Sequence, residues 1–181
     1  VMNTAGKADA LSGLVNDEID TQIDGMQESI VLVLEADRDL HQAVIAEKLS
    51  LSATDAELQQ ADNDNSENTQ QAYDRLKQAS VNFDTDELTA LYNEFLEKFE
   101  TWRAKTRSVI ENVKDASKYQ FARRISDGSA KQTFDDMRDV VDRLGASMQE
   151  HLGELYTQSR TIQDQERKIT GELIESSGSV A

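Results

Sequence analysis

The chain has 181 residues, no proline, eight glycines and no cysteine. So few turn-forming residues exclude a loop-rich fold and point to long helices, and the absent thiols exclude disulfide scaffolds, thiolate metal sites and cysteine nucleophiles. Thirty-five acidic against 19 basic residues give a formal net charge of -16, which excludes the basic footprint needed on nucleic acid or on anionic lipid.

The first helix is predicted over about 4–51. Its apolar residues Leu11, Leu14, Val15, Ile19, Ile23, Met26, Ile30, Val33, Leu34, Leu40, Val44 and Ile45 follow the three-four spacing of a helix packed along one seam. At 1.5 Å per residue such a helix spans about 70 Å. In the middle of the seam stands Glu35-Ala36-Asp37-Arg38-Asp39-Leu40-His41-Gln42-Ala43, with the only arginine of the first seventy-four residues.

Ser52 or Thr54 is the candidate cap of a second helix, about 55–81, with Asp55 and Glu57 in its first turn, where acids suit the helix dipole. Its seam of Leu58, Ala61, Asn65, Asn68, Ala72, Leu76 and Ala79 is thin. The polar run 62–68 is read as a register-setting seam, a loop or a ligand-facing wall. Thr85 or Asp84 is expected to cap a third helix, about 85–117 or longer, with the heaviest seam: Leu88, Leu91, Phe95, Phe99, Trp102, Thr106, Val109, Val113 and Ala116.

The rhythm shifts phase after Ala116, which predicts an irregular cap near 117–127 and a break at Ser126–Ser129 closed by Gly128. The fourth helix, about 130–174, carries Phe134, Met137, Val141, Leu144, Met148, Leu152, Leu155, Ser159, Ile162, Ile169 and Leu173. The expected fold is all-α: one domain over 1–181, an elongated up-down-up-down four-helix bundle whose first and last helices are longest.

No stretch approaches the roughly 18 apolar residues of a membrane span. Met at position 2 and the Ser-Gly-rich end suggest a piece of a longer protein. No phosphate loop, histidine-rich metal spacing or nucleophile set is present. The Glu-x-x-His pairs of carboxylate di-iron bundles fail as well, since Arg38 and Met148 stand three residues before His41 and His151. No metal and no cofactor are therefore expected.

Two long helices with adjacent ends, joined by a shorter inner pair, resemble the periplasmic sensor domain of bacterial methyl-accepting chemotaxis proteins. Leu34-Glu35-Ala36-Asp37-Arg38-Asp39-Leu40-His41-Gln42-Ala43 is similar to an Ala-Asp-Arg-Asp-Leu-Tyr-Gln-Ala segment in the first helix of many such receptors, with His41 where the family usually has tyrosine. The family's amino-acid receptors hold the ligand carboxylate with several arginines near the dimer interface, whereas the first helix here has Arg38 alone. The resemblance implies a homodimeric receptor that is not an enzyme, transmembrane helices flanking this segment, a periplasmic location on an inner-membrane protein, and a small ligand such as an amino or organic acid. The sensor bundle of a histidine kinase, or a structural coiled-coil module without ligand, are the alternatives.

With flush chain ends, residue n of the first helix stands level with about residue 181 − n of the last. Arg38 then stands level with Arg143, with Asn65 and Asn68 at a similar height and Tyr119 somewhat higher. Arg38, His41, Asn65, Asn68, Tyr119 and Arg143 are therefore the candidate ligand-binding residues, arginine and asparagine being suited to a carboxylate. For Arg38 an ion pair with Asp37 or another acid is the favoured reading, with ligand contact the alternative.

Overall fold

The computed structural model describes the backbone of residues 4–178 and the side chains of residues 13–172. The chain is an all-α four-helix bundle without a strand among the described residues. Its elements are α1 (Thr4–Ser50), α2 (Asp55–Ala79), α3 (Asp86–Val113), α4 (Tyr119–Ile125) and α5 (Lys131–Gly178). A π-helical turn, Ser126–Ala130, joins α4 to α5 without interruption. Short 3-10 turns follow α2 at Ser80–Asn82 and precede α4 at Ala116–Lys118.

Local chemistry explains two of the three turns. At the start of α2, the Glu57 carboxylate accepts hydrogen bonds from the Thr54 backbone N–H and hydroxyl, both at 2.8 Å. Those two bonds hold the Glu57 carboxyl below its usual range. At the start of α3, Thr85 Oγ1 accepts from the Leu88 N–H at 3.2 Å. In each case an oxygen satisfies a donor, or an acid fills the first turn, where the helix leaves N–H groups without partners.

The third turn lies elsewhere than the sequence suggests. The chain breaks at Lys114 and Asp115 and resumes helix at Ala116. Asp115 caps that resumption, its carboxylate accepting from the Ser117 N–H at 3.0 Å and the Ser117 hydroxyl at 2.7 Å. Residues 119–130 are helical rather than an irregular cap, and no described glycine has positive φ. Gly128 therefore closes no helix. The phase shift after Ala116 has two causes: the real break is there, and the π turn then inserts residues out of step with a 3.6-residue repeat. The last helical stretch accordingly begins at Tyr119, about a dozen residues earlier than expected.

The described residues divide into two compact units, one drawn from residues 4–27 with 149–178, the other Glu28–Met148. In the first, the beginning of α1 packs antiparallel to the end of α5. Ile19, Ile23, Met26, Leu155 and Ser159 are buried. Asn16 Nδ2 donates to Glu166 at 2.9 Å, and Gln27 Nε2 donates to the Tyr156 hydroxyl at 2.6 Å.

The second unit holds four antiparallel segments around a column of rings. Tyr73 stacks on Phe99 at 5.7 Å, Phe99 meets Phe95 at 5.3 Å and Trp102 at 6.0 Å, and Trp102 meets Phe134 at 5.6 Å. Phe95, Phe99 and Trp102 are fully buried, as the α3 periodicity predicts. Large aromatic surfaces removed from water dominate the stabilisation of such a core. In α1 the buried set is Val33, Ala36, Leu40, Ala43 and Ala46. Leu34 and Ile45, assigned above to the same seam, are instead exposed, at 63% and 57%. Small alanines fill their inward places and let the neighbouring helices approach closely.

Candidate functional site

The acid-arginine-histidine stretch of α1 distributes its side chains to three neighbours. Asp39 is 1% exposed and pairs with Arg75 of α2, which also donates to Glu35 at 3.0 Å. A carboxylate taken out of water needs such a partner. Arg75 is the residue that sequence reasoning missed. The hairpin at Ser52 places it within about a turn of Glu35, so an inward acid opposite a lone α2 arginine was the available signal.

Asp37 faces the other way, toward α5. Its carboxylate accepts from Arg138 Nε at 3.0 Å and lies 3.6 Å from His41 Nδ1. The bond to Asp37 stabilises the charged guanidinium of Arg138 and raises its pKa above the ordinary arginine value. His41 Nδ1 is also 2.8 Å from the Asp37 carbonyl oxygen. A carbonyl can only accept, so that nitrogen carries the hydrogen. The ring stands edge-on to Phe134 at 5.5 Å. Arg38 remains 57% exposed, its nearest acid being Asp39 at 3.4 Å. The expected ion pair is present, with Asp39 rather than Asp37.

These pairs set the register in the second unit. Asp37 meets Arg138 and His41 meets Phe134, so Arg38 stands level with about residue 137, not with Arg143. Flush ends are no constraint on a bundle; register follows from which side chains interlock along the seam. Arg143 instead pairs with Glu94 of α3 at 3.1 Å. Asn65 is fully buried, donating to the Ala43 carbonyl at 2.8 Å and to Thr106 Oγ1 at 3.0 Å. Asn68 donates to the Asp64 carbonyl one turn back at 2.8 Å. The polar run 62–68 is thus an unbroken part of α2, with Asn65 as its inward residue. Tyr119 opens α4, half-buried, on the far side of the α3–α4 turn. The six candidates do not gather at one place: Arg38 and His41 lie a turn apart on α1 with different partners, Asn65 and Asn68 a turn apart on α2, and Tyr119 and Arg143 on α4 and α5.

One face of α1 in the second unit is unlike the rest. Val31, Leu34, Ile45 and Leu49 are all more than half exposed, and Arg38 and Gln42 lie between them. At 3.6 residues per turn these six positions share about 80° of arc. Below Leu49 the face runs into a groove of about 300 Å³ walled by Leu49, Ser52, Ala53, Glu57, Gln60, Ala61 and Asp64. Among the described residues no group of three or more acids, histidines or cysteines could hold a metal, and no helix is long and apolar enough to cross a membrane.

No family model, curated protein or solved structure matches this chain.

Proposed function

We propose that this chain is the extracytoplasmic sensor domain of a bacterial transmembrane receptor of the methyl-accepting chemotaxis kind. In this reading two copies meet through α1, a small organic anion binds near Arg38, and a displacement of α5 carries the signal. The observation that carries it is the α1 face: Arg38 and Gln42 of the motif project from the bundle between exposed Val31, Leu34, Ile45 and Leu49. An apolar stripe interrupted by one arginine suits a partner helix together with a charged guest. That the described beginning of α1 and end of α5 belong to one compact unit supports a reading in which these two helices run side by side.

A ligand acts in such a receptor only through unequal affinity for two helix arrangements. The test is a thermal-shift screen of amino and organic acids on wild type and Arg38→Ala. A ligand present at 100 times its dissociation constant stabilises the folded state by about 2.7 kcal/mol, and Arg38→Ala should abolish that shift at unchanged helicity. Stabilisation that survives the substitution refutes the Arg38 site.

A structural interaction module without ligand is the second reading. It is favoured by the internal engagement of Asn65, Asn68 and Arg143. Absence of any stabilising acid, with α1 pairing retained, would select it.

A further inference from the structure

The acids at the start of α2 have two different fates. Asp62 faces α3, where Arg107 and Lys114 both hold it. Glu57 and Asp64 instead wall the groove of about 300 Å³ at the end of α1. Among the described residues no basic side chain walls that groove, and neither carboxylate has an ion pair. Their hydrogen-bond donors are neutral: Glu57 Oε2 accepts from the Thr54 N–H and hydroxyl, and Asp64 Oδ1 accepts from Gln60 Nε2 at 2.6 Å. Two negative charges therefore stand at the groove uncompensated.

The order along the helix is acid, apolar, acid. Glu57, Ala61 and Asp64 occupy positions i, i+4 and i+7, which form one stripe, and the two acids are about 10 Å apart along the axis. Ala61 is buried between them, while Leu49 of α1 and Ala53 of the turn supply the rest of the apolar wall. Leu49 is 58% exposed, so its side chain is open to a guest. A wholly apolar guest would leave both charges unanswered, and an anion would be repelled by them. Acids two turns apart cannot share one metal ion, and among the described residues no group of three acids could hold one.

We propose that this groove binds an aliphatic α,ω-diamine, its methylene chain on Leu49, Ala53 and Ala61 and one ammonium at each of Glu57 and Asp64. A chain of about four or five methylenes, with a charge-assisted hydrogen bond of about 2.8 Å at either end, spans the separation of the two acids. The groove has the size of the smaller ligand sites, which start at about 300 Å³. It lies about 16 Å along α1 from Arg38 and selects the opposite charge, so it does not rest on the anion reading.

Isothermal titration calorimetry of the 181-residue chain with cadaverine and with the monoamine pentylamine tests the site. Cadaverine should bind once per chain, at least about tenfold tighter than pentylamine. Asp64→Asn keeps an acceptor for Gln60 but removes one charge, and should weaken cadaverine about tenfold at unchanged circular dichroism. Glu97→Gln, which removes an acid on α3, and Arg38→Ala should both leave the affinity as it is. Absence of saturable binding at about 10 mM cadaverine overturns the proposal. So does equal affinity for pentylamine, unchanged affinity in folded Asp64→Asn, or an equal loss in Glu97→Gln.

Discussion

Removing the guanidinium of Arg75 tests the inward acid of α1 most directly. Asp39 is 1% exposed, and Arg75 faces it from α2 while also holding Glu35 at 3.0 Å. In Arg75→Ala the Asp39 carboxylate stays buried and loses its closest compensating charge, keeping only the exposed Arg38 guanidinium at 3.4 Å, which costs about 3 kcal/mol or somewhat more. With a urea dependence of about 2 kcal/mol/M, the unfolding midpoint falls by about 1.5 M or somewhat more. Trp102 fluorescence is the proper reporter, because the only tryptophan lies in the same compact unit as the pair. The double variant Asp39→Asn with Arg75→Met removes both charges and should recover most of the loss, since the penalty comes from the stranded ion rather than from the missing attraction. A midpoint shift below about 0.5 M for Arg75→Ala refutes the reasoning. So does a double variant as unstable as the single.

Other outcomes follow from the same geometry. Thr85→Ala leaves the Leu88 N–H without its acceptor and should cost about 1 kcal/mol of unfolding free energy, read by the same urea titration; an unchanged midpoint would show that water replaces the cap. Burial pushes the Asp62 carboxyl up, but the hydrogen bonds and charges of Arg107 and Lys114 outweigh it and leave the group below its ordinary range. A depressed folded value means that stability is fully present above the unfolded range near 3.9 and is lost as pH falls through the folded value. Asp62→Asn should therefore be less stable than wild type at pH 7, with the gap closing at acid pH; a gap independent of pH counts against the ion-pair account. Leu34→Glu with Ile45→Glu places charge on the exposed α1 face and should convert a dimer to monomer in sedimentation without loss of helicity; wild type that is monomeric at high concentration removes the dimer from the proposal.

Much of the fold was legible because its determinants are local. The absence of proline, the three-four spacing of Leu88, Leu91, Phe95, Phe99 and Trp102, and the caps at Thr54 and Thr85 act within a turn or two of chain. Helix existence, order and most inward residues of α3 and α5 follow from them. The α3–α4 turn was misplaced because Gly128 imitates a C-terminal cap, while Asp115, which makes the cap, resembles any surface acid. Along α1 the apolar residues cover more than one face, so periodicity alone could not say that Leu34 and Ile45 point outward while Ala36 and Ala43 point in.

The charged stretch of α1 divides in the same way. Its composition by itself announces that a buried or half-buried charge must find a partner. Which partner is a question of register between segments far apart in sequence. Only the tertiary structure pairs Asp39 with Arg75 and Asp37 with Arg138, sends Asn65 to Ala43 and Thr106, and fastens the π turn through Glu47 and Lys48. An ion pair is settled by a few ångströms of relative helix translation, and no single helix carries that information in its own sequence.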